Sequence, residues 1–501
     1  MSFAARCKVH DAARAAACDA VLERVAKEHV EQVRVAWADL HGSLRGKTLV
    51  CGFDAAPVAQ ALQAGVGMVS TLLLKDTSDR TAFKVFEPGG AGRPAGFGAA
   101  NNLVLLPDPT SYLALPWAPG TGWMRAEPWF EDGTPVPADP RRVLRRALAV
   151  LGAAGYGLRC GLEVEFHVFR ITQERLALAD AAWPAEPPAV ALLHPGYQLL
   201  SESWADQCEE ALAIVRRTAL ALGLPLQSLE IELGPSQFEA VFGPTDALTA
   251  ADQMMLFRNG VRQALRRAGY HASFVCRPPF EGAVASGWHL HHSLVHADDG
   301  RNAMGHGAAA AADGSEAGSE AGSEAGSARH WLGEAGAHWL AGLLVHAHGM
   351  AALCAPSVNA YGRYRGSVMA PQSAQWGRDN RGALLRVVGS GRDLRIENRL
   401  GEPLANPYLA IASQVWAGLD GMARRLEPPP ATDAPYAAGA ALLPASLAEA
   451  LDALAADSVL QQGLGEPMAQ VFHAIKRQEW ARHAQADDAA LWERREYFGR
   501  H

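Results

Sequence analysis

The chain has 501 residues, of which 49% are hydrophobic and 20% are charged, and its formal net charge is -8. This length allows one large domain or two. The negative charge argues against a nucleic-acid-binding surface and gives no indication of attraction to a membrane. No apolar run approaches the roughly 20 residues that span a bilayer. The seven cysteines form no CxxC pair and charges interrupt the N-terminal segment, so we expect a cytoplasmic protein with reduced thiols.

The first hundred residues predict a small mixed unit of helix and short strands. Apolar residues recur at helical spacing over residues 10–30, and a strand is predicted from Val33 to Trp37 before a turn signal. The stretch from Asp108 to Pro140 is rich in Pro, Gly and Trp, and we predict a surface linker there. A helix is predicted to begin at Pro140, because an acidic residue precedes a proline that suits the first helical position.

These patterns predict two domains, an N-terminal one over residues 1–115 and a larger one over residues 116–501. Within the second, a GSEA repeat and its alanine-rich flanks have almost nothing apolar to bury. We therefore predict a disordered loop over residues 305–328.

Four predicted strands carry acids, histidines and arginines on one face and apolar residues on the other. The polar sets are Glu163 and Glu165; Glu230 and Glu232; His289, His291 and Ser293; and Arg395, Glu397 and Arg399. One such strand is typical of a half-exposed antiparallel sheet. Four together are harder to explain that way, because adjacent carboxylates repel and need a cation, and their oxygens suit Mg²⁺ or Mn²⁺. Two such ions facing arginines indicate phosphoryl transfer.

A series of short sequence motifs extends over nearly the whole chain. In chain order they are Asp39-x-x-Gly42, Glu163-x-Glu165, Glu232-Leu-Gly-Pro-Ser-Gln-Phe-Glu239, Ser286-Gly-Trp-His289-x-His291, Asn359-Ala-Tyr-Gly-Arg363, Trp376-Gly-Arg-Asp-Asn-Arg381, Arg386, Arg395-Ile-Glu397-Asn-Arg399 and Ala405-Asn-Pro-Tyr-Leu409. One such motif is weak evidence, but the whole series in register is specific, and it resembles the glutamine synthetase family.

The resemblance implies a role for each matching residue. Glu165, Glu232 and Glu239 match the ligands of one Mg²⁺ or Mn²⁺ ion, and Glu163, His289 and Glu397 match those of a second. Arg381 and Arg386 match arginines that act on the phosphates of ATP, Arg363 and Arg399 match those that hold the amino-acid substrate and the acyl phosphate, and His291 lies near the nucleotide. Asp39 matches the acid that a neighbouring subunit inserts into the site.

The resemblance also implies an α+β fold, a reaction and an assembly. We expect a β-grasp-like N-terminal domain and a catalytic domain with a curved antiparallel sheet, as in glutamine synthetases and guanidino kinases. ATP would phosphorylate the γ-carboxylate of glutamate, and an amine would then displace phosphate. Active sites would lie between the subunits of a ring-shaped homo-oligomer, in stacked hexameric or pentameric rings.

Two departures from the family pattern fall where substrates would bind. Ammonia-using members carry a flap glutamate before Ala-Pro, and here Met369 stands at that position. Methionine can neither bind ammonium nor take its proton, and offers an apolar, adaptable wall instead. Val284 and Ala285 replace the Asn-Gly of the loop over glutamate, which allows an altered acyl substrate.

These departures favour a ligase for an amine with an apolar body, an alkylamine or an arylamine such as aniline. The alternatives are a glutamine synthetase that uses ammonia, a ligase for polyamines and a family member without catalytic activity. A guanidino phosphotransferase is a more distant alternative, which the Asp39 and Asn406-Pro-Tyr phrases argue against.

Overall fold

The computed structural model describes residues 2–52, 55–87, 93–306, 327–365 and 369–501. Most of the loop predicted at residues 305–328 therefore lies outside the described residues. The rest forms two sheets with helices packed around them, and the α+β class that the resemblance implied is confirmed.

The N-terminal sheet contains the predicted strand at Val33 and packs against the predicted helix. Its strands are Gln32–Ala38 (β1), Leu44–Val50 (β2), Val66–Val69 (β3), Asn102–Pro107 (β4), Leu113–Ala114 (β5) and Thr121–Trp129 (β6), and its helices are Phe3–Arg6 (α1), Ala12–Lys27 (α2) and Ala56–Ala64 (α3). The strand order is β2-β1-β6-β4-β3, with β5 paired to β6. Strands β1 and β6 run parallel, and the other pairs of this sheet are antiparallel.

The prediction of a surface linker from Asp108 to Pro140 is wrong, because β6 lies at the centre of this sheet. Trp123, Met124 and Trp129 are buried in it. Gly122 and Pro128 lie within the same strand, so the sequence pattern did not indicate a strand there. A domain boundary at residue 115 stays a prediction. The continuity of the sheet favours a position after Trp129.

The second sheet has nine strands and carries the polar faces predicted from the sequence. Its strands are Tyr156–Gln173 (β7), Ala189–Leu192 (β8), Leu226–Ile231 (β9), Gln237–Asp246 (β10), Tyr270–Ser273 (β11), Trp288–His296 (β12), Trp376–Arg378 (β13), Leu385–Val388 (β14) and Arg395–Gly401 (β15). Their order is β13-β14-β15-β12-β7-β10-β9, and β8 and β11 pair with the far part of β7. All pairs are antiparallel except β13 with β14. Along β7, Leu162, Val164 and Phe166 are buried in the core, which turns Glu163 and Glu165 to the opposite face.

The remaining helices cover the core side of this sheet and extend to the C-terminal part of the chain. They are Pro140–Ala153 (α4), Glu202–Gln207 (α5), Glu209–Ala221 (α6), Ala247–Arg267 (α7), Ala328–Trp331 (α8), Glu334–Val345 (α9), Ala347–Cys354 (α10), Pro407–Ala423 (α11), Leu447–Ala456 (α12), Ser458–Leu464 (α13), Glu466–Ala484 (α14) and Ala489–Glu493 (α15). The predicted start of α4 is confirmed, since the Asp139 side chain accepts a hydrogen bond from the Arg141 backbone N–H. Among the described residues, no helix is both long and apolar enough to cross a membrane.

An ionic network joins the N-terminal sheet to the helices. The Asp252 carboxylate, on α7, accepts hydrogen bonds from Arg125 at 2.7 Å, from Arg141 at 2.9 and 3.0 Å, and from the Tyr408 hydroxyl at 2.8 Å. Arg125 belongs to β6, Arg141 to α4 and Tyr408 to α11. The Asp252 carboxylate thus connects α7, β6, α4 and α11 at the junction between the N-terminal sheet and the helices.

Candidate active site

Three of the predicted metal-binding carboxylates meet where strands β7, β9 and β10 run side by side. Glu239 on β10 lies directly opposite Glu165 on β7. Glu232 follows the end of β9, and its backbone N–H donates to the carbonyl of Gln237 at 3.0 Å. Hydrogen bonds from the Gln237 side chain (3.1 Å) and the Gly287 backbone N–H (2.9 Å) orient the Glu165 carboxylate.

The pKa values of these three carboxylates are raised, as expected of acids that are buried close to one another. Burial first and then the neighbouring carboxylate charges raise the pKa of Glu239 to about 10. Burial and the charge of Glu232 raise the pKa of Glu165 to about 7, and burial also raises the pKa of Glu232. A cation that binds such a cluster offsets the repulsion, and the carboxyl groups then release their protons to solvent.

The second predicted set lies next to the first, across strands β7, β12 and β15. His289 is paired in register with Glu163, and His291 with Glu397. The Glu163 carboxylate lies 3.3 Å from His289 Nδ1 and 2.9 Å from His291 Nε2. Although burial opposes it, these two histidines hold the pKa of Glu163 below its usual range. Burial, with the charge of Arg399, lowers the pKa of His289 to about 4, so at neutral pH its imidazole is a neutral potential ligand.

Three of the predicted arginines surround this second set. Glu397 is fully buried and forms ion pairs with Arg386, at 2.8 Å, and with Arg399. Although burial opposes it, Arg399 and then the two neighbouring histidines lower the pKa of Glu397 to about 2. The Arg363 guanidinium lies 3.3 Å from His289 Nε2 and donates to the Arg399 carbonyl at 2.9 Å. Positive charge thus stands around the carboxylates, where a phosphate would need it.

The donor atoms fit divalent cations, in groups that differ partly from the predicted sets. Ligand atoms of Glu163, Glu239 and His289 lie within 4.8 Å of one another, as do those of Glu163, His291 and Glu397. Oε1 of Glu239 is buried and has no hydrogen-bond partner among the described residues, as expected of an oxygen directed at an ion. The structure brings all six predicted ligands into one region. The ion to which each belongs stays a prediction.

A cavity of about 990 Å³ opens from this cluster. Its lining includes Glu163 and His291 of the cluster, and also Arg395, Arg378 and Trp331. The Arg378 guanidinium stacks over the Trp331 ring, 4.8 Å from its centroid. A nucleotide fits a volume of this order, and the basic and aromatic lining suits its phosphates and base.

Hydrogen bonds connect two of the residues predicted to bind substrates, Met369 and Ala285, to residues of this cluster or in contact with it. The backbone carbonyl of Met369 accepts a hydrogen bond from Arg399 at 3.1 Å, and the residue is 47% exposed. Val284 and Ala285 belong to the loop before β12, where the Ala285 carbonyl accepts a hydrogen bond from Gln237 at 3.4 Å. Arg381 is exposed on the turn between β13 and β14.

Asp39 lies elsewhere in its own chain, on the loop between β1 and β2. Its carboxylate accepts hydrogen bonds from Arg45 at 2.7 Å and from the backbone of His41 and Ser43 at 3.0 and 2.9 Å. The Asn406 side chain donates to the Asp39 carbonyl at 2.9 Å. These partners are not residues of the carboxylate cluster, and the predicted role of Asp39 in a neighbouring subunit stays a prediction.

Three residues to which the sequence analysis gave no role contact predicted site residues. Gln237 holds Glu165, and its place within the Glu232–Glu239 phrase was a signal. Arg395 donates to His291 Nδ1 at 3.1 Å, and its alternation with Glu397 and Arg399 was another. Tyr436 accepts a hydrogen bond from the Met369 backbone N–H at 2.8 Å. No local sequence pattern predicts the contact between Tyr436 and Met369, because the two residues are far apart in the chain.

Comparison with known proteins agrees with this geometry. Residues 137–497 match the family model described as "Glutamine synthetase, catalytic domain". The chain is 35% identical to the gamma-glutamylanilide synthase of Acinetobacter sp., over 96% of this chain and 95% of that protein. It is 32% identical to the gamma-glutamylethanolamide synthetase GlnA4 of Streptomyces coelicolor, over 95% of this chain and 94% of that protein.

A solved structure described as a GmaS/ADP complex superposes with a TM-score of 0.72 and 27% sequence identity, covering 95% of this chain and 98% of that one. Both the family model and these relatives extend over most of the chain. The chain therefore belongs to the glutamine synthetase family, as a carbon–nitrogen ligase that joins glutamate to an amine.

Proposed function

We propose that this ligase joins the γ-carboxylate of glutamate to an organic amine with an apolar body, an arylamine such as aniline or an alkylamine, in an ATP-dependent reaction. One observation carries the proposal: the chain contains every predicted metal and phosphate residue, while the flap residue whose carbonyl Arg399 contacts is Met369, which has no carboxylate. The products named for the anilide and ethanolamide relatives support an organic amine.

In the first step, the γ-carboxylate of glutamate attacks the γ-phosphate of ATP, and ADP leaves. Arg363 and Arg399 hold the glutamate and its acyl phosphate, while Arg381 and Arg386 contact the phosphates. A carboxylate oxygen becomes a good leaving group once it carries a phosphate, and fixed positive charge lowers the cost of bringing the two anions together. His291, next to the cavity of about 990 Å³, lies beside the nucleotide.

Two divalent ions, Mg²⁺ or Mn²⁺, supply further positive charge to the phosphates when bound. We assign Glu165, Glu232 and Glu239 to one ion and Glu163, His289 and Glu397 to the other. The unpartnered buried oxygen of Glu239 and the grouping of Glu163 with two histidines support a pair of adjacent cation sites.

In the second step, the amine nitrogen attacks the acyl carbon, phosphate leaves, and the nitrogen loses a proton. Met369 offers the amine an apolar wall instead of a second carboxylate. The Asp39 carboxylate remains as a base that can accept this proton if a neighbouring subunit supplies it, which implies a ring-shaped homo-oligomer with active sites between subunits. Val284 and Ala285 border the glutamate side.

Glutamine synthesis from ammonia is the second candidate, and the presence of Asp39 favours it. A ligase for polyamines is less well supported, because a polycation would favour added carboxylates and Met369 removes one. A family member without activity is the least supported, because the ligand carboxylates are all present.

The test is phosphate release that depends on ATP and Mg²⁺, with glutamate and one amine at a time: ammonium, putrescine, isopropylamine, ethanolamine or aniline. Product masses identify the amide. A γ-glutamyl amide formed from aniline or isopropylamine at low concentration, with ammonium poor, is the expected result. Efficient formation of glutamine would overturn the proposal.

A further inference from the structure

Tyr436 lies on a segment that hydrogen bonds fix to the edge of the catalytic sheet. The Trp376 side chain donates to the Pro429 carbonyl at 2.7 Å, and the Thr432 backbone N–H donates to the Trp376 carbonyl at 2.9 Å. The Asn380 side chain donates to the Thr432 carbonyl at 2.9 Å. The segment that carries Tyr436 is therefore held against β13 and the turn that follows it.

The hydroxyl of Tyr436 holds the backbone of Met369 and Ala370, the two residues that we call the flap. It accepts a hydrogen bond from the Met369 N–H at 2.8 Å and donates to the Ala370 carbonyl at 3.2 Å. Met369 has a φ of 71°, in the left-handed region that non-glycine residues seldom adopt. Such a conformation persists where surrounding contacts hold it, and the hydroxyl of Tyr436 makes two of them.

A second contact holds the same residue from its carbonyl. Arg399 donates to the Met369 carbonyl at 3.1 Å and forms an ion pair with the buried Glu397. The N–H of Met369 is thus held by Tyr436 and its C=O by Arg399. This places the flap in a fixed relation to the charged cluster.

The side chain of Tyr436 also packs on the turn that carries Arg381. A Cβ atom added at Gly382 would lie 2.9 Å from the Tyr436 hydroxyl oxygen and 2.8 Å from the Pro435 side chain. A side chain at position 382 would therefore require Tyr436 and Pro435 to shift. Tyr436 therefore contacts both the flap on the amine side and the turn on the phosphate side.

We propose that Tyr436 is a positioning residue that sets the Met369 flap for binding of the amine. The inference rests on the proposed function only in treating the Met369 flap as part of the amine site. Tyr436 acts through the backbone of Met369 and Ala370, so removing its hydroxyl releases the flap while the apolar Met369 side chain is kept.

The test is the variant Tyr436→Phe, compared with the wild-type chain for the KM of each substrate. Loss of the two hydrogen bonds is expected to raise the KM of the amine about 3- to 10-fold. The KM values for glutamate and ATP are expected to stay within about twofold, and the melting temperature within about 2 °C, because the ring and its packing are unchanged.

The matched control is Tyr112→Phe in the N-terminal domain. The buried Tyr112 hydroxyl has no hydrogen-bond partner within the described part of the chain, so this variant is expected to behave like the wild type. If the KM of the amine in Tyr436→Phe equals the wild-type value, the inference is wrong. It is also wrong if all three KM values and the melting temperature change together, since that would indicate a general structural role.

The comparison uses whichever amine the wild-type chain accepts best. If that amine is ammonium, the proposed function fails, and the KM for ammonium in Tyr436→Phe still tests the positioning role. The two failures are therefore distinguishable.

Discussion

Glu165 and Glu239 face each other directly across two antiparallel strands, with the pKa of the first raised to about 7 and that of the second to about 10. Two acids in cross-strand register normally repel and destabilise a sheet. Their placement in a buried position is understandable when a cation lies between them. The sheet thus contains a local instability that ion binding would remove.

A first prediction is that Mg²⁺ or Mn²⁺ raises the melting temperature of the chain and that chelation abolishes turnover. Ions that bind only the folded state stabilise it by mass action. Glu239→Gln is expected to be at least as stable as the wild type without metal, because a crowded acid is removed. The same variant should lose turnover about 100-fold or more. Thermal denaturation with and without the ion, beside the activity assay, measures both effects.

The control is Glu230→Gln, a neighbouring acid on β9 whose carboxylate accepts a hydrogen bond from Ser228 at 2.7 Å. It is expected to keep the thermal shift caused by the ion. A full metal-dependent shift in Glu239→Gln would contradict the assignment of Glu239 as a ligand.

A second prediction concerns the specificity for the amine. Met369→Glu places a carboxylate on the flap, where it can bind ammonium and accept its proton. We expect the ratio of kcat/KM for ammonium to that for the organic amine to rise about tenfold or more. Competition between the two amines, with both amide products measured by mass, checks this ratio. Leu178→Glu adds the same charge at a highly exposed site and should leave the ratio unchanged.

A third prediction concerns the junction around Asp252. Asp252→Asn removes the charge that Arg125 and Arg141 share, which leaves two guanidinium groups with less compensation. The free energy of unfolding is expected to fall by about 3 kcal/mol. The midpoint of urea denaturation measures it, with the exposed Asp298→Asn as the control. Equal midpoints for Asp252→Asn and the wild type would show that the network contributes no net stability.

A fourth prediction concerns the pH dependence that Glu402 gives to stability. Glu402 is fully buried and accepts hydrogen bonds from the backbone and hydroxyl of Ser357, both at 2.8 Å. Burial raises its pKa from 4.5 to about 7. The unfolded chain therefore releases this proton at lower pH than the folded chain does, so the stability contribution of Glu402 falls as the pH rises from about 4.5 to about 7.

Glu402→Gln removes this titration, so its stability relative to the wild type is expected to increase between about pH 5 and about pH 8. Urea midpoints of both proteins at the two pH values measure the difference. The exposed Glu466→Gln should show no such trend. A difference between Glu402→Gln and the wild type that is independent of pH would contradict the raised pKa.

The candidate ligand residues could be picked out from the sequence because they follow a local rule. Successive side chains of a strand point to opposite faces, so the alternation around Glu163, His289 and Glu397 places each of them on the polar face of its own strand. The helix start at Pro140 was predictable for a similar reason, since capping involves only neighbouring residues.

Only the tertiary structure decided which strands lie side by side, and therefore which residues meet. Strand β6 was missed because its Gly and Pro residues conceal a central position that depends on pairing with β1 and β4. The grouping of His291 with Glu163 and Glu397, and the contact of Tyr436 with Met369, likewise join distant parts of the chain. Periodicity records the direction of a side chain relative to its own strand, whereas contacts across the sheet are set by register and packing between segments.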